Sequence, residues 1–256
     1  MLKRNARPHK SVFLLFITCH RTGFGGTFYA EQGSVVLITS FMYTHFYRGN
    51  KLPHWQPPEG SFFITARLYG SIPKVVIEQL KDAYHHALQE IRQARIVPDN
   101  AADLLPEELL QAIERIRRKK EYEAGKRYFS SFDNFLDSNL NEPYWLQRSD
   151  IARLNAENIH FYAEKYFDLW AFTIMSNHIH VLLTMRPGKT LLWKALQDMK
   201  KYSGLHSNRL LGREGFFWEE ESYDHLLRPG EFDRILRYIL NNPVKAKMVK
   251  CWHDYP

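Results

Sequence analysis

Between Trp170 and Thr184 the chain reads Trp-Ala-Phe-Thr-Ile-Met-Ser-Asn-His-Ile-His-Val-Leu-Leu-Thr, an apolar, β-prone run carrying two histidines, His178 and His180, two positions apart. Side chains alternate faces along a strand, so the two imidazoles share one face while Ile179 and Val181 share the other. Two imidazoles on one face suit a single divalent cation. A pair of partly buried sheet histidines with hydrogen-bond partners is the other reading of the same pattern, and the pair alone does not choose between them.

A second segment, Phe232 to Ala246, reads Phe-Asp-Arg-Ile-Leu-Arg-Tyr-Ile-Leu-Asn-Asn-Pro-Val-Lys-Ala. Phe232, Ile235, Leu236 and Ile239 fall at helical spacing and make an inward stripe, and Pro243 marks the helix end through the constraint on its predecessor. Tyr238 sits beside that stripe. Asn242, four residues on, lies one turn along the same side, so a hydroxyl and a carboxamide oxygen face a common point. That arrangement suits a nucleophile next to a metal ligand. A tyrosine bordering the core, followed by an Asn-Asn-Pro helix stop, accounts for the same letters.

Together the segments resemble the single-tyrosine HUH transposases and, within them, the REP-associated tyrosine transposases. The resemblance is carried by Met175-Ser-Asn-His-Ile-His180, by Gly212-Arg-Glu-Gly-Phe-Phe-Trp218 with Ser222-Tyr-Asp-His225, and by Tyr238-Ile-Leu-Asn-Asn-Pro-Val-Lys-Ala246, in the family's order and spacing. Leu52-Pro-His-Trp-Gln-Pro57 and Phe62-Phe-Ile-Thr-Ala-Arg-Leu68 resemble its opening strand. Ser176 stands where relatives often carry proline or glutamate, just outside the ligands. The first fifty residues have no counterpart.

This resemblance implies an α+β fold, a ferredoxin-like antiparallel sheet with packed helices, and an enzyme that cuts and rejoins DNA. It implies that His178 and His180 hold Mg²⁺ or Mn²⁺ with Asn242 at the third, polar ligand position. It makes Tyr238 the nucleophile that attacks a DNA phosphate and stays joined to the 5′ phosphate. The implied substrate is single-stranded or hairpin DNA of the repeated extragenic palindrome type, with monomer and homodimer both found among relatives. Two other readings stay open: a catalytically inactive hairpin-binding protein on the same fold, and a nuclease in which the metal activates water and no covalent product forms. Tyr202, after Lys200 and Lys201, is a competing nucleophile that lacks the Asn-Pro context.

The rest of the chain is consistent with that class. A chain of 256 residues with 45% hydrophobic content can bury one good core with an inserted subdomain. Its net charge of +7 favours an anionic partner. Cys19 and Cys251 lie far apart and form no CxxC pair, which points to a reducing cytoplasm rather than a disulfide framework or zinc site.

Periodicity predicts a strand at 61–68, a helix at 73–96, a hairpin of strands 166–175 and 178–185 turning at Ser176-Asn177, a helix at 191–211 and an aromatic strand-like segment at 216–227. In that order the elements match a ferredoxin-like unit. Residues 98–165 read as a helical insertion in a domain spanning 51–256. Within it, helix 105–127 carries Leu109, Leu110, Ile113 and Ile116 at helical spacing beside the basic residues Arg117, Arg118 and Lys119, and helix 150–164 docks the insertion on the core. Those three basic residues, and Lys194 and Lys201 two turns apart on the helix after the histidines, are candidates for gripping DNA phosphates. Solvated helix faces explain the same charges.

At the N-terminus, residues 1–50 form an extension with apolar runs at 12–19 and 35–38. Both are too short to span a bilayer, which takes about 20 apolar residues. The first run, after a basic start, resembles the charged and apolar parts of a secretory signal but lacks a small-residue cleavage site, and a translation start at Met42 is a different account of the extension.

Overall fold

A computed structural model describes residues 45–46, 54–57, 59–138 and 142–255. The two apolar runs of the N-terminal extension and Met42 lie outside the described residues. Two short strands, β1 (His45–Phe46) and β2 (His54–Trp55), pair antiparallel. The elements that follow are β3 (Ser61–Arg67), α1 (Lys74–Gln93), α2 (Pro106–Ser138), α3 (Ser149–Tyr166), β4 (Phe167–Ile174), β5 (His178–Met185), α4 (Leu192–Leu211), β6 (Tyr223–Leu226) and α5 (Phe232–Lys245). The chain divides into two compact units, one holding Gly70–Pro143 and the other the residues on either side. Among the described residues no helix is long and apolar enough to cross a membrane.

The sheet unit is α+β. Its four strands run in the order β4-β5-β3-β6, and every neighbouring pair is antiparallel. With α3 between β3 and β4, and α4 between β5 and β6, the path is βαββαβ, the ferredoxin-like topology expected from the sequence. One feature of that expectation changes. The helix predicted at 73–96 belongs to the other unit, and the first crossover helix is α3, which the sequence reading had placed in the insertion. Local periodicity identifies both helices but does not say which one packs on the sheet.

β3 and β5 are central strands and are buried on both faces, which explains their near-continuous apolar sequences. Phe62, Ile64 and Ala66 of β3, with Leu68 just after it, form one core with Ile179, Val181, Leu183 and Met185 of β5, covered by Ile151, Ala152, Ala156 and Ile159 of α3 and Leu192, Ala195 and Met199 of α4. The two helices are also tied by polar contacts. Asn158 Nδ2 donates to the Met199 carbonyl at 3.0 Å, and Asn155 Nδ2 donates to Ser207 Oγ at 3.3 Å. Gly212 ends α4 in the left-handed region at φ 62°, and its N–H and that of Arg213 satisfy the last carbonyls of the helix. The opposite face of the sheet carries the histidines and packs against α5 through Ile235 and Ile239.

α5 runs through Pro243 to Lys245 rather than stopping before the proline. Proline lacks the N–H that would reach the Ile239 carbonyl, and α5 continues past it without that one bond: Ala246 N–H reaches the Asn242 carbonyl and Met248 N–H the Pro243 carbonyl, each at 2.9 Å.

In the other unit α1 and α2 form an antiparallel pair. Val76, Ile77 and Leu80 pack with Phe132, Phe135 and Leu136, while Tyr84 meets Tyr128 at 5.3 Å between ring centroids. α2 is 33 residues long and extends through Phe129, Phe132 and Phe135, beyond the predicted end at Arg127. It opens with Pro106 in its first turn, and Glu108 accepts the Leu105 N–H at 3.1 Å.

Near the C-terminus, the buried Tyr255 hydroxyl donates to the Ile174 carbonyl at 2.7 Å, tying the chain end to the last residue of β4 just before the histidine hairpin. Burial pushes this phenol well above its ordinary range. A raised folded pKa means that its contribution to stability is fully present below the unfolded value near 10 and is lost as the pH rises above it. Tyr255→Phe should lower stability by about 1–2 kcal/mol at neutral pH and flatten the alkaline decline. Urea unfolding from pH 7 to 11 measures both, and a variant matching wild type at every pH would refute this role.

Candidate functional site

Strand pairing assembles the site. Opposite residues in adjacent antiparallel strands point to the same face, and the register aligns Thr173, His180, Thr65 and Tyr223 in one row and Arg67 with His178 in the next. The histidine-bearing face therefore holds Phe63, Thr65 and Arg67 beside His178 and His180. Both imidazoles are buried, at 1% and 0% exposure.

The two rings meet tip to tip, with His178 Nε2 3.1 Å from His180 Nε2. Each is held from behind: His178 Nδ1 lies 2.7 Å from Asn177 Oδ1, and His180 Nδ1 lies 2.8 Å from Thr65 Oγ1. From α5 the Asn242 carboxamide reaches the same point, with Nδ2 3.3 Å from His180 Nε2. Its Oδ1 is buried with no hydrogen-bond partner among the described residues. Exchanging the amide's oxygen and nitrogen, which occupy nearly the same space, turns that oxygen toward the imidazoles.

Tyr238, one turn before Asn242, packs its ring against His180 at 5.7 Å between centroids and 66° between planes. Phe63 backs both rings, stacked on His180 at 5.2 Å and edge-on to Tyr238 at 5.7 Å. Lys245 Nζ lies 5.8 Å from the Tyr238 ring centroid. Thus the fold brings together His178, His180, Asn242 and Tyr238, drawn from segments about sixty residues apart in the sequence.

The donor set suits a divalent cation. Two ligand atoms about 2.1 Å from an octahedral ion, at right angles, lie about 3.0 Å apart, close to the observed separation of the imidazole nitrogens. With its amide exchanged, Asn242 would offer a carboxamide oxygen as a third donor of the hard type. Both imidazoles have their rear nitrogens engaged, as ligating histidines characteristically do.

The other predicted residues lie elsewhere. α4 packs on the face of the sheet opposite the histidines, so Lys194 and Lys201 do not line the histidine site, and Tyr202, exposed on the same helix, is remote from it. Lys194 pairs with Asp198 at 2.8 Å. Lys201 instead lines a cavity of about 950 Å³ along α4 with Trp193, Leu205 and Phe216. Lys200, pushed down to about 8 by burial, donates to the Glu220 carbonyl and Ser222 Oγ and so holds the segment leading into β6. Arg117 and Arg118 both pair with Glu114 on α2, and Lys119 is exposed beside them. His225 is on the histidine-bearing face but bonds Glu231 at 2.8 Å.

Sequence reasoning missed Thr65, Asn177, Phe63 and Lys245. Asn177 had a visible signal, since it directly precedes His178, but it read as a turn residue. Thr65 becomes legible only through the pairing of β3 with β5.

No family model and no curated protein matches the sequence. Among solved structures, the chain is similar to a REP-associated tyrosine transposase bound to a REP hairpin, with 15% identity over 80% of this chain and 79% of that one and a TM-score of 0.39.

Burial, with a smaller contribution from Lys245, pushes the His180 imidazole down to about 3. The folded value lies below the unfolded one near 6.5, so neutral His180 contributes stability that is present above about pH 6.5 and lost as the pH falls toward the folded value. In EDTA the denaturation midpoint should fall from pH 6.5 to pH 4, and His180→Asn should fall less steeply. Parallel pH curves for the two proteins would contradict this account.

Proposed function

We propose that the protein is a metal-dependent, single-strand DNA endonuclease and strand transferase that works through a covalent 5′-phosphotyrosine. The observation that carries this reading is the packing of the Tyr238 ring against His180, with His178 and Asn242 converging on the same point. A tyrosine beside a buried two-histidine, one-carboxamide site is more than a core border requires. The motif resemblance supplies the substrate class, hairpin or repeat-type single-stranded DNA, and the net charge of +7 agrees with a polyanion.

His178, His180 and Asn242 would hold Mg²⁺ or Mn²⁺. When bound, the cation polarises the scissile phosphate and offsets charge as it builds up. Tyr238 Oη attacks phosphorus, the bond from phosphorus to the 3′ oxygen breaks, and that oxygen leaves with the electron pair and takes a proton from solvent. The Tyr238 proton is released to solvent. Lys245 puts a positive charge beside the phenol, the sign that an incoming phosphate requires. Phe63, packed behind both rings, fixes the angle between nucleophile and ligand. Because the ester keeps the energy of the broken phosphodiester, a 3′ hydroxyl can reverse the step and join strands without ATP.

The test is incubation with labelled single-stranded hairpin DNA in Mn²⁺ or EDTA, followed by denaturing electrophoresis and peptide mapping. We expect an Mn²⁺-dependent adduct on Tyr238. Tyr238→Phe should abolish it, Tyr202→Phe should retain it, and His178→Ala or His180→Ala should slow cleavage about a hundredfold or more, as loss of one electrostatic stabiliser commonly does. Cleavage without an adduct would replace this reading with water activation, and hairpin binding without cleavage would replace it with an inactive DNA-binding protein.

A further inference from the structure

We infer that His225 and Glu231 form a clamp that fixes the first turn of α5 to the edge strand β6 and so sets where Tyr238 and Asn242 stand relative to the two imidazoles. The inference rests on the proposed function for the reaction it governs, and it names the residues that orient the helix of the nucleophile.

α5 lies on the sheet through Ile235 and Ile239. Apolar packing is non-directional, so two isoleucines hold a helix down without fixing its rotation about its own axis. A hydrogen bond to a charged group does fix it, because its strength depends on angle as well as distance. With 3.6 residues per turn, positions seven and eleven apart return to within about 20° of the same side. Glu231 stands seven residues before Tyr238 and eleven before Asn242, so the three form a line along one side of α5 with Glu231 at its N-terminal end.

Three groups hold the Glu231 carboxylate. His225 Nε2 lies 2.8 Å from Oε2, which also accepts the Arg228 N–H at 2.9 Å, and Arg234 Nη2 donates to Oε1 at 2.7 Å. Arg228 and Arg234 belong to the turn before α5 and to α5 itself, whereas His225 comes from the sheet. A carboxylate accepts, so the imidazole donates from Nε2 whether it is neutral or charged. The two side chains are 17% and 12% exposed, which spares the link much of the screening that weakens surface pairs.

β6 is a firm support for this link. On its other face Asp224 accepts from Gln56 Nε2 at 3.1 Å, and Gln56 Oε1 accepts the Trp193 N–H in the first turn of α4 at 3.0 Å. His225 is the cross-strand neighbour of Phe63 on the histidine-bearing face, and Phe63 packs against both His180 and Tyr238. The clamp therefore joins the start of α5 to the strand pair that carries the backing ring of the site. His225 and Glu231 are positioning residues in this scheme; neither touches substrate.

Two measurements test this. In protein labelled on its tyrosine rings, the Tyr238 signals, assigned with Tyr238→Phe, carry the ring-current shifts of His180 and Phe63 and report the place of the phenol without DNA or metal. His225→Ala should move them, and His225→Gln, whose carboxamide N–H replaces Nε2–H, should return them, with the Tyr255 signals unchanged in both. With saturating Mn²⁺ and hairpin DNA, the single-turnover rate of adduct formation should fall about 10- to 100-fold in His225→Ala, as a misplacement of about 1 Å commonly costs. Hairpin affinity should stay at the wild-type value, and His225→Gln should recover the rate.

Unmoved Tyr238 signals in His225→Ala would overturn the clamp. Moved signals with a wild-type adduct rate would overturn its control of the reaction. Signals that move in His225→Ala when the wild type forms no adduct would leave the clamp standing and overturn the proposed function instead. Should His225→Ala fail to fold, Glu231→Ala breaks the same link from the helix side and is read by the same signals.

Discussion

The register of β5 between β3 and β4 is the constraint on which the site depends. Side chains alternate along a strand, so slipping β5 by one residue would turn His178 and His180 into the apolar core under α3 and α4 and bring Ile179 and Val181 to the α5 side. Three apolar residues on one face of β3 and four on the same face of β5 hold the pairing against that slip, because exposing them or burying two imidazoles among them is unfavourable. The hydrophobic core on one face of the sheet thereby fixes the polar chemistry on the other. Thr65 faces His180 for the same reason, although 115 residues separate them in the chain.

Burying two imidazoles has a cost that the surrounding groups offset in specific ways. The charged form is disfavoured by desolvation, which keeps His180 neutral, and a neutral imidazole is the form that offers a lone pair to a cation. Each rear nitrogen is engaged by a side chain on the sheet or in the hairpin turn. The low-dielectric environment that penalises an unpaired polar atom also strengthens the field of any ion held there. The Asn242 carboxamide completes the set, and its Oδ1 is buried with no hydrogen-bond partner among the described residues.

How much of this was legible in the sequence follows from the range of each signal. The histidine hairpin and the amphipathic tyrosine helix are local patterns, and the periods of two and of about 3.6 residues located them. The assignment of helices to layers was not local. α1 and α3 both read as amphipathic, and only tertiary pairing shows that α3 packs on the sheet while α1 packs on α2. Thr65 sat in a Phe-Phe-Ile-Thr-Ala run where nothing in its neighbours marked it. Lys194 and Lys201 were correctly placed on one helix, but the sequence could not show that this helix covers the face opposite the histidines. Pro243 marks a helix end by its constraint on the preceding residue, yet α5 runs two residues past it, because that constraint is a preference that tertiary packing on the sheet overrides.

The sheet and α5 contribute to the site with different rigidity. The histidines stand on a central strand, bonded on both sides and almost without solvent exposure, and have little freedom to move separately from the sheet. Tyr238 is half-buried on a helix that rests on that sheet through Ile235 and Ile239. It shares the helix with Asn242, one turn away, so a shift of α5 along its axis or a rotation about it carries both groups together. Tyr238 thus cannot drift from the imidazoles without drawing the Asn242 carboxamide away as well. On this scaffold the positions of the phenol and of the carboxamide relative to the two histidines are one mechanical variable, set by how α5 rests on the sheet.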